Sequence, residues 1–246
     1  MARKHDWFED WFDSNYYHIL YKNRDQTEAN HFITKLLTYL DLEPGSHVLD
    51  LACGKGRHSV FLNERGFDVT GVDLSANSIS NAKKLENEHL RFKVGDMREK
   101  QGVREFDAVF NLFTSFGYFD SIEENLKTLR AIHQSLKPNG KLVIDFMNST
   151  KALANLMPAY DLERGGIAFK IKKTLENQVI SKKIYFSDLG KDWVFEERVQ
   201  ALELADFMNY FNKTGFGLRQ VFGDYRLSPY NALNSDRMIF IVQPLP

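Results

Sequence analysis

Short apolar runs and longer amphipathic segments alternate along roughly the first 150 residues. The runs read "HVLDL", "FDVTGVDL", "LRFKVGD", "FDAVFNLF" and "KLVIDF". They are mostly apolar rather than alternating, which is typical of strands buried on both faces. Between and before them, the spacing of apolar residues predicts helices over 27–42, 76–88 and 122–136. Strands and helices that alternate in this way predict a doubly wound parallel sheet.

The pattern changes after Met157. The stretches "IAFKIKK", "VISKKIYFSD" and "WVFEERVQAL" place apolar and charged residues in near alternation, as antiparallel strands with one solvated face do. A helix is predicted over 201–213, and "GFGLRQVFGDY" and "DRMIFIVQ" are predicted to close the main sheet. The expected fold is α/β, a mostly parallel seven-stranded sheet with an inserted small antiparallel sheet. We divide it into a helical cap segment over 1–42, a main domain over 43–157 and 201–246, and inserted strands over 158–200.

Composition excludes several classes of protein. A chain of 246 residues that is 43% hydrophobic can bury a sizeable core, and its formal net charge of -1 creates no global field for nucleic acid or anionic membrane. Cys53 is the only cysteine, so disulfides and cysteine-based zinc clusters within the chain are excluded, and the histidine and carboxylate spacing predicts no metal site. No apolar run is long enough for a membrane span or a signal peptide, so we expect a cytoplasmic protein.

Two glycines, Gly54 and Gly56, follow the first predicted strand in "VLDLACGKG". In an open α/β sheet, ligands bind at the carboxyl ends of the strands. Glycine at this point permits positive φ and leaves no Cβ between the backbone N–H groups and a ligand. An ordinary strand-to-helix turn would use the same glycines, so the pair alone indicates a cofactor loop only weakly.

Three successive strand ends carry a carboxylate: Asp50, Asp73 and Asp96. Asp73 can accept hydrogen bonds from both hydroxyls of a ribose, and Asp96 can accept one from an exocyclic amine while Met97 packs on the base. Asp73 or Ser75 could instead cap the next helix, and Asp96 is also typical of a turn. Three acids in register are hard to attribute to turns alone, and they would repel a pyrophosphate. They favour a nucleoside whose reactive end is cationic.

Together these motifs resemble the class I S-adenosylmethionine-dependent methyltransferases. "VLDLACGKG" is similar to their first motif, "GVDLS" to their ribose-binding acid and "GDM" to their adenine-binding loop. Within that class the chain looks most like small-molecule N-methyltransferases of the nucleotide-sugar amine and glycine type, although Lys55 stands where those sequences often have threonine. The resemblance implies a Rossmann-like fold with S-adenosyl-L-methionine as cofactor. It implies these cofactor-binding residues: Tyr21, Arg24, Asp50, Ala52, Gly54, Gly56, Asp73, Leu74, Asp96, Met97, Asn111 and Leu112.

Aromatic residues follow the fourth strand in "NLFTSFGYF". Methyl transfer from a sulfonium is an in-line displacement, so the enzyme mainly has to align the two reactants and exclude water. Phe113, Phe116, Tyr118 and Phe119 can supply such walls, and aromatic faces also favour the cation. Core packing is the alternative for Phe113 and Phe119, since aromatic residues are often buried.

The segment "DWFEDWFDSNYYHILYKNRD" near the amino terminus is also rich in aromatic residues. In similar proteins such a segment closes over the cofactor, and the alternative is an amphipathic helix packed on the sheet. A general base is optional for an amine acceptor. The candidate catalytic residues are His18, Tyr118 and Asn148, whereas His58 and His133 are expected to be ordinary surface or core histidines.

The resulting hypothesis is a methyltransferase that acts on a small-molecule acceptor, for which an amine is one candidate. The inserted strands would form a substrate lid or an oligomer interface, such as that of a homodimer. Nucleic acid is not expected, because "NLF" replaces the Asn/Asp-Pro-Pro-aromatic pattern of base methyltransferases. RNA stays an alternative through a basic face on the inserted strands, made of Lys170, Lys172, Lys173, Lys182 and Lys183. A protein that binds the cofactor without turnover is the third reading, and a dehydrogenase, which lacks its third glycine here, is the fourth.

Overall fold

The computed structural model describes residues 7–22 and 26–246, without the side chains of Glu9 and Gln26. The helices are Trp7–Phe12 (α1), Asn15–Leu20 (α2), Gln26–Leu40 (α3), Arg57–Glu64 (α4), Ala76–Ala82 (α5), Ile122–Ser135 (α6), Ser149–Ala154 (α7) and Leu204–Lys213 (α8). The strands are His47–Leu51 (β1), Asp68–Asp73 (β2), Leu90–Val94 (β3), Phe106–Asn111 (β4), Leu136–Met147 (β5), Ala159–Arg164 (β6), Ile167–Glu176 (β7), Val179–Asp188 (β8), Lys191–Gln200 (β9), Phe216–Phe222 (β10) and Arg237–Pro244 (β11).

Seven strands form the main sheet in the order β10-β11-β5-β4-β1-β2-β3. The pairs β1–β2, β2–β3, β1–β4 and β4–β5 are parallel, and β11 runs antiparallel to both β5 and β10. The predicted fold, a mostly parallel seven-stranded sheet with a separate antiparallel sheet, is confirmed. The chain order reverses on either side of β1, whose neighbours are β2 and β4. A ligand crevice is expected at the carboxyl ends of these strands.

Helices cover both faces of the main sheet. On one face, α3, α4 and α5 bury side chains such as Phe32, Leu62 and Ile79 against the strands. On the other face, α6 and α8 contribute Leu129 and Phe207. A fully buried side chain of this size stabilises the fold by about 1.5–3 kcal/mol. The strands are therefore rich in apolar residues because both faces of the sheet are buried, as the sequence predicted.

The inserted sheet has four antiparallel strands in the order β6-β7-β8-β9. Three of them were predicted, whereas β6 was not, because it is an edge strand that is largely exposed and short of apolar residues. Helices α1 and α2 pack on this sheet through Trp11 and Leu20, which join Phe169 and Ile184 in one cluster. Since α3 packs on the main sheet, the predicted cap segment is divided between the two sheets.

Two predicted helices have different ends in the structure. The helix predicted over 76–88 ends at Ala82 and is followed by a 3₁₀ turn, because the Glu86 carboxylate turns back to accept the Phe92 N–H at 2.7 Å. The helix predicted over 201–213 begins at Leu204, and Glu203 caps it. No helix in the described part of the chain is long and apolar enough to span a membrane.

Candidate active site

A cavity of about 410 Å³ lies at the carboxyl ends of β1, β2, β3 and β4, and side chains of α1 and α2 form its opposite wall. Its volume is within the range of small-molecule sites. Most predicted site residues line it: His18, Tyr21, Asp50, Ala52, Gly54, Asp73, Leu74, Asp96, Met97, Leu112 and Tyr118. Gly56, Asn111 and Asn148 do not line it, and Arg24 lies outside the described residues.

The loop between β1 and α4 has an unusual backbone. Ala52, Gly54 and Gly56 all have positive φ, at 68°, 57° and 80°. For alanine this conformation is strained, and such strain is often found at functional sites. A Cβ on Gly54 would meet nothing within 4 Å, whereas one on Gly56 would lie 2.4 Å from the Phe92 ring. Gly56 is therefore required for packing against β3, and Gly54 faces the cavity.

Asp73 is held in place by the backbone of two loops. Its Oδ2 accepts the Gly54 N–H at 2.7 Å, and its Oδ1 accepts the Ser75 N–H at 2.8 Å. Burial raises the pKa of Asp73, and these two hydrogen bonds oppose that rise. Each carboxylate oxygen can accept more than one hydrogen bond, so both can still bind a ligand hydroxyl. The capping function also considered for this position belongs to Ser75, whose side chain accepts from Ser78.

Asp50 lies deeper, on β1, and is 3% exposed. Ser59 Oγ donates to its Oδ2 at 2.6 Å. Burial raises the pKa of Asp50 to about 6, and the hydrogen bond from Ser59 limits the rise. The side chain therefore changes its charge close to neutral pH.

The raised pKa of Asp50 predicts a pH-dependent stability in the protein without cofactor. Because the pKa rises from 3.8 to about 6 on folding, Asp50 favours folding below pH 4 and this contribution is lost as the pH rises through 6. Asp50→Asn abolishes this dependence. We expect the free energy of unfolding of the wild type to fall relative to Asp50→Asn by about 2.5 kcal/mol between pH 4 and pH 7.5. Urea unfolding at several pH values measures this, and a constant difference between the two proteins would contradict the prediction.

Asp96 follows β3 and has an ionic partner that was not expected from the sequence. Arg98 donates to it through its backbone N–H at 2.9 Å and through its guanidinium at 2.8 Å. The same guanidinium pairs with Glu124 at 2.6 Å and lies 4.7 Å from the centre of the Phe119 ring. Arg98 therefore fixes the orientation of Asp96 toward the cavity. The "GDMR" stretch contains Arg98, but nothing in the sequence indicates which residues Arg98 contacts.

Aromatic side chains from the cap complete the wall of the cavity. Trp7 Nε1 donates to the Tyr118 carbonyl at 3.2 Å, and the Phe12 ring lies 5.4 Å from the Tyr118 ring. Asp13 accepts hydrogen bonds from Ser75 Oγ and from the Asn77 backbone N–H at 3.1 Å. The cap is thus attached directly beside Asp73.

Phe113 and Thr114 form a strained turn after β4, with φ values of 59° and 61°. The buried Asp145 accepts the Phe113 N–H at 2.8 Å, and Arg237 pairs with Asp145 at 2.7 Å. The Phe113 ring lines the cavity and stacks on His58 at a centroid distance of 4.6 Å. His58, which was expected to be an ordinary surface or core histidine on a helix, lies on α4 and also lines the cavity.

Among the other predicted aromatic walls, Phe119 lines the cavity and Phe116 does not. Phe116 is fully buried in the main core, where its ring lies 5.7 Å from that of Phe207. Gly117, whose φ is 80°, turns the chain between Phe116 and Phe119. Phe116 is a core residue, which corrects its predicted place in the wall.

The three candidate catalytic residues have different surroundings. His18 lines the cavity, and burial together with the nearby Lys55 lowers its pKa to about 4. The Tyr118 hydroxyl donates to the Thr114 carbonyl. Asn148 is buried away from the cavity, and its Nδ2 donates to two carbonyls, those of Ala232 and Ser235, at 2.8 Å each. Asn148 anchors a loop in this structure.

Asn111 is buried beside the site without lining the cavity, whereas Tyr21 lines it. Asn111 Nδ2 donates to the Leu51 carbonyl at 3.1 Å, which ties the ends of β1 and β4 together. Its Oδ1 is buried and has no hydrogen-bond partner among the residues the structure describes. Tyr21 lines the cavity from the cap, and its hydroxyl lies 2.6 Å from Glu197 Oε1 on β9. The inserted sheet is thereby linked to the cavity.

Comparison with known proteins places this geometry in a family. A family model described as a methyltransferase domain matches residues 42–194. YqeM of Bacillus subtilis, an inferred methyltransferase, is 31% identical over 209 residues, which cover 80% of this chain and 83% of the relative. A glycine/sarcosine N-methyltransferase of Parasynechococcus marenigrum is 28% identical over 90% of this chain and 79% of its own.

A solved structure shows the same fold. The crystal structure of a S-adenosylmethionine-dependent methyltransferase from Clostridium acetobutylicum superposes with a TM-score of 0.80 at 19% identity, over 94% of this chain and 96% of that one. The fold similarity thus extends over both sheets. With the family match over 42–194, the chain belongs to the methyltransferase domain family and is a S-adenosylmethionine-dependent methyltransferase.

Proposed function

We propose that the enzyme methylates an amine nitrogen of a small molecule, and that the cavity holds both the cofactor and this acceptor. When bound, S-adenosylmethionine supplies an electrophilic methyl group on a sulfonium. The observation that carries the proposal is a single cavity with carboxylates at the strand ends on one side and aromatic rings with an uncharged histidine on the other. The glycine/sarcosine N-methyltransferase to which this chain is similar acts on amines, as its name states.

The strand-end residues fit the nucleoside part of the cofactor. Asp73 presents two fixed carboxylate oxygens, as two ribose hydroxyls require. Asp96, oriented by Arg98, and the thioether of Met97 would bind the adenine. Gly54 leaves its backbone open toward the methionine part. These roles, and those of Ala52, Leu74 and Leu112 beside them, are our proposals for the cofactor-binding residues.

The aromatic wall would align the acceptor and exclude water. Phe12 faces the cavity from α1, and Phe113 and Tyr118 face it from the segment between β4 and α6. Their ring faces stabilise a cation by about 0.5–2 kcal/mol each, depending on desolvation. An amine nucleophile must reach the methyl group without its proton.

His18 is our candidate for orienting the amine by accepting a hydrogen bond from it. With its pKa lowered to about 4, the imidazole is neutral throughout the pH range of a cytoplasmic enzyme. Its neutral form favours the folded state above pH 6.5, and this preference is lost as the pH falls through 4. We therefore expect the His18 resonances in an NMR titration to show no midpoint near 6.5. A midpoint there would remove His18 from this role, and His18→Gln provides the resonance assignment.

Calorimetric titration with S-adenosylmethionine, S-adenosylhomocysteine and NAD in parallel tests the cofactor site. Binding of the first two and no binding of NAD supports the site as described, and binding of NAD alone contradicts it. Amines with and without an attached acidic group are then screened for methyl transfer. Turnover of one of them also removes the reading as a protein that binds the cofactor without catalysis.

The structure of the inserted sheet gives little support to RNA as the methyl acceptor. The five lysines on which that alternative rested do not form one face, because Lys172 and Lys183 are exposed while Lys173 and Lys182 are partly buried on the other side of the same strands. A small molecule is therefore the proposed acceptor. The homodimer and the cytoplasmic location stay predictions.

A further inference from the structure

A row of charged residues crosses the inserted sheet on the face that packs against the cap. Lys173 on β7 is the direct cross-strand partner of Lys182 on β8, and Lys182 is the partner of Glu197 on β9. The preceding row on the same face consists of the buried apolar residues Ile171 and Ile184, paired with each other. Like charges that face each other directly across two strands destabilise a sheet. The two lysines therefore require a compensating charge.

Glu197 does not provide this compensation for both lysines. Its carboxylate accepts from Trp11 Nε1 at 2.7 Å and from the Tyr21 hydroxyl at 2.6 Å, and it forms an ion pair with Lys182 Nζ at 3.2 Å. Lys173 lies over the Tyr160 ring at 5.2 Å, and no described carboxylate is within ion-pairing distance of its ammonium. One positive charge in this row thus lacks a carboxylate partner.

Burial makes that extra charge costly. Lys173 is partly buried, and Lys182 has a side chain that is 14% exposed. Burial lowers the pKa of Lys173, and the charge of Lys182 lowers it further, while Glu197 opposes the change. A bound anion would relieve both effects, because it favours the charged form of each lysine.

The row adjoins the cavity through Tyr21. The Lys182 ammonium lies 4.7 Å from the centre of the Tyr21 ring, and that ring lines the cavity. Neither lysine lines the cavity itself, and Lys182 Nζ donates to the Tyr21 hydroxyl, which in turn donates to Glu197. An oxyanion that replaces the Tyr21 hydroxyl on Lys182 would place the amine of the same acceptor among the aromatic side chains. We infer that Lys173 and Lys182 form a subsite for an oxyanion of the acceptor, so that the substrate is an amine that also carries a phosphoryl or carboxylate group. This inference rests on the proposed function and adds the class of substrate.

The same two strands offer a matched control on their opposite face. Lys172 and Lys183 are also direct cross-strand partners, and both are exposed. Replacing them by methionine removes the same charge from the same strands without touching the proposed subsite. The test compares Lys173→Met and Lys182→Met with Lys172→Met and Lys183→Met. Each protein, saturated with S-adenosylhomocysteine, is titrated calorimetrically with O-phosphoethanolamine, glycine and ethanolamine.

We expect one or both anionic probes to bind the wild type, with O-phosphoethanolamine and glycine distinguishing a phosphoryl from a carboxylate ligand. Lys173→Met should weaken that binding about ten- to a hundredfold, and the outer-face variants should leave it unchanged. Equal losses in inner- and outer-face variants, equal binding of ethanolamine, or no binding of either anionic probe would overturn the subsite. The affinity for S-adenosylhomocysteine should be the same in all variants. If the wild type does not bind S-adenosylhomocysteine, that result would instead contradict the proposed function.

Discussion

Asp73→Ala is expected to weaken binding of S-adenosylhomocysteine by about a hundredfold or more. A charged acceptor contributes about 1.5–3 kcal/mol to each hydrogen bond, and Asp73 would accept two from the ribose. Its two oxygens are already oriented by the Gly54 and Ser75 backbone N–H groups, so the ligand finds them in place. Calorimetric titration of the variant measures the loss, and circular dichroism establishes that the variant is folded.

A suitable control lies at the other end of the same strand. Asp68 begins β2, far from the cavity that Asp73 lines, so Asp68→Ala removes one carboxylate from the strand without changing the site. Asp73→Asn keeps an amide oxygen that can accept one hydrogen bond, and should therefore fall between the wild type and Asp73→Ala. Wild-type affinity in a folded Asp73→Ala would show that the ribose is not bound there.

The strand-end part of the site could be predicted because it depends on local sequence and on topology alone. A run such as "HVLDL" predicts its own burial, and parallel strands bring their carboxyl ends to one edge. Asp50, Asp73 and Asp96 therefore had to lie close together once the sheet was correct. Three residues that line one cavity were placed by this reasoning.

The opposite wall could not be predicted in this way, because long-range packing determines it. Nothing local distinguishes Phe113, which lines the cavity, from Phe116, which is buried three residues later. His58 lies in the first turn of α4, and the strained turn at Phe113, distant in sequence, places an aromatic ring on it. The link from Tyr21 to Glu197 joins residues 176 positions apart. No periodicity in the sequence predicts long-range contacts of this kind.

Arg237→Met is expected to reduce the free energy of unfolding by about 3–5 kcal/mol, because it leaves the charge of Asp145 buried without a partner. Asp145 is fully buried, and Arg237 Nε donates to its Oδ1 at 2.7 Å. Urea unfolding measures the change. Lys151→Met, which breaks the exposed ion pair with the adjacent Asp236, is the control and should cost about 1 kcal/mol or less.

The double variant Asp145→Asn/Arg237→Met separates the charge effect from the loss of packing. If the uncompensated charge causes the instability, the double variant should be more stable than Arg237→Met alone, since neither charge of this pair is then left. An equally unstable double variant would assign the cost to packing instead. The pair also has a consequence for the site, because the Asp145 carboxylate accepts the Phe113 N–H at 2.8 Å, while its main-chain carbonyl accepts the Thr114 N–H at 2.9 Å. The turn has two positive φ values that cost about 1–3 kcal/mol each. Loss of Arg237 should therefore release the Phe113 ring from His58 and weaken acceptor binding more than cofactor binding.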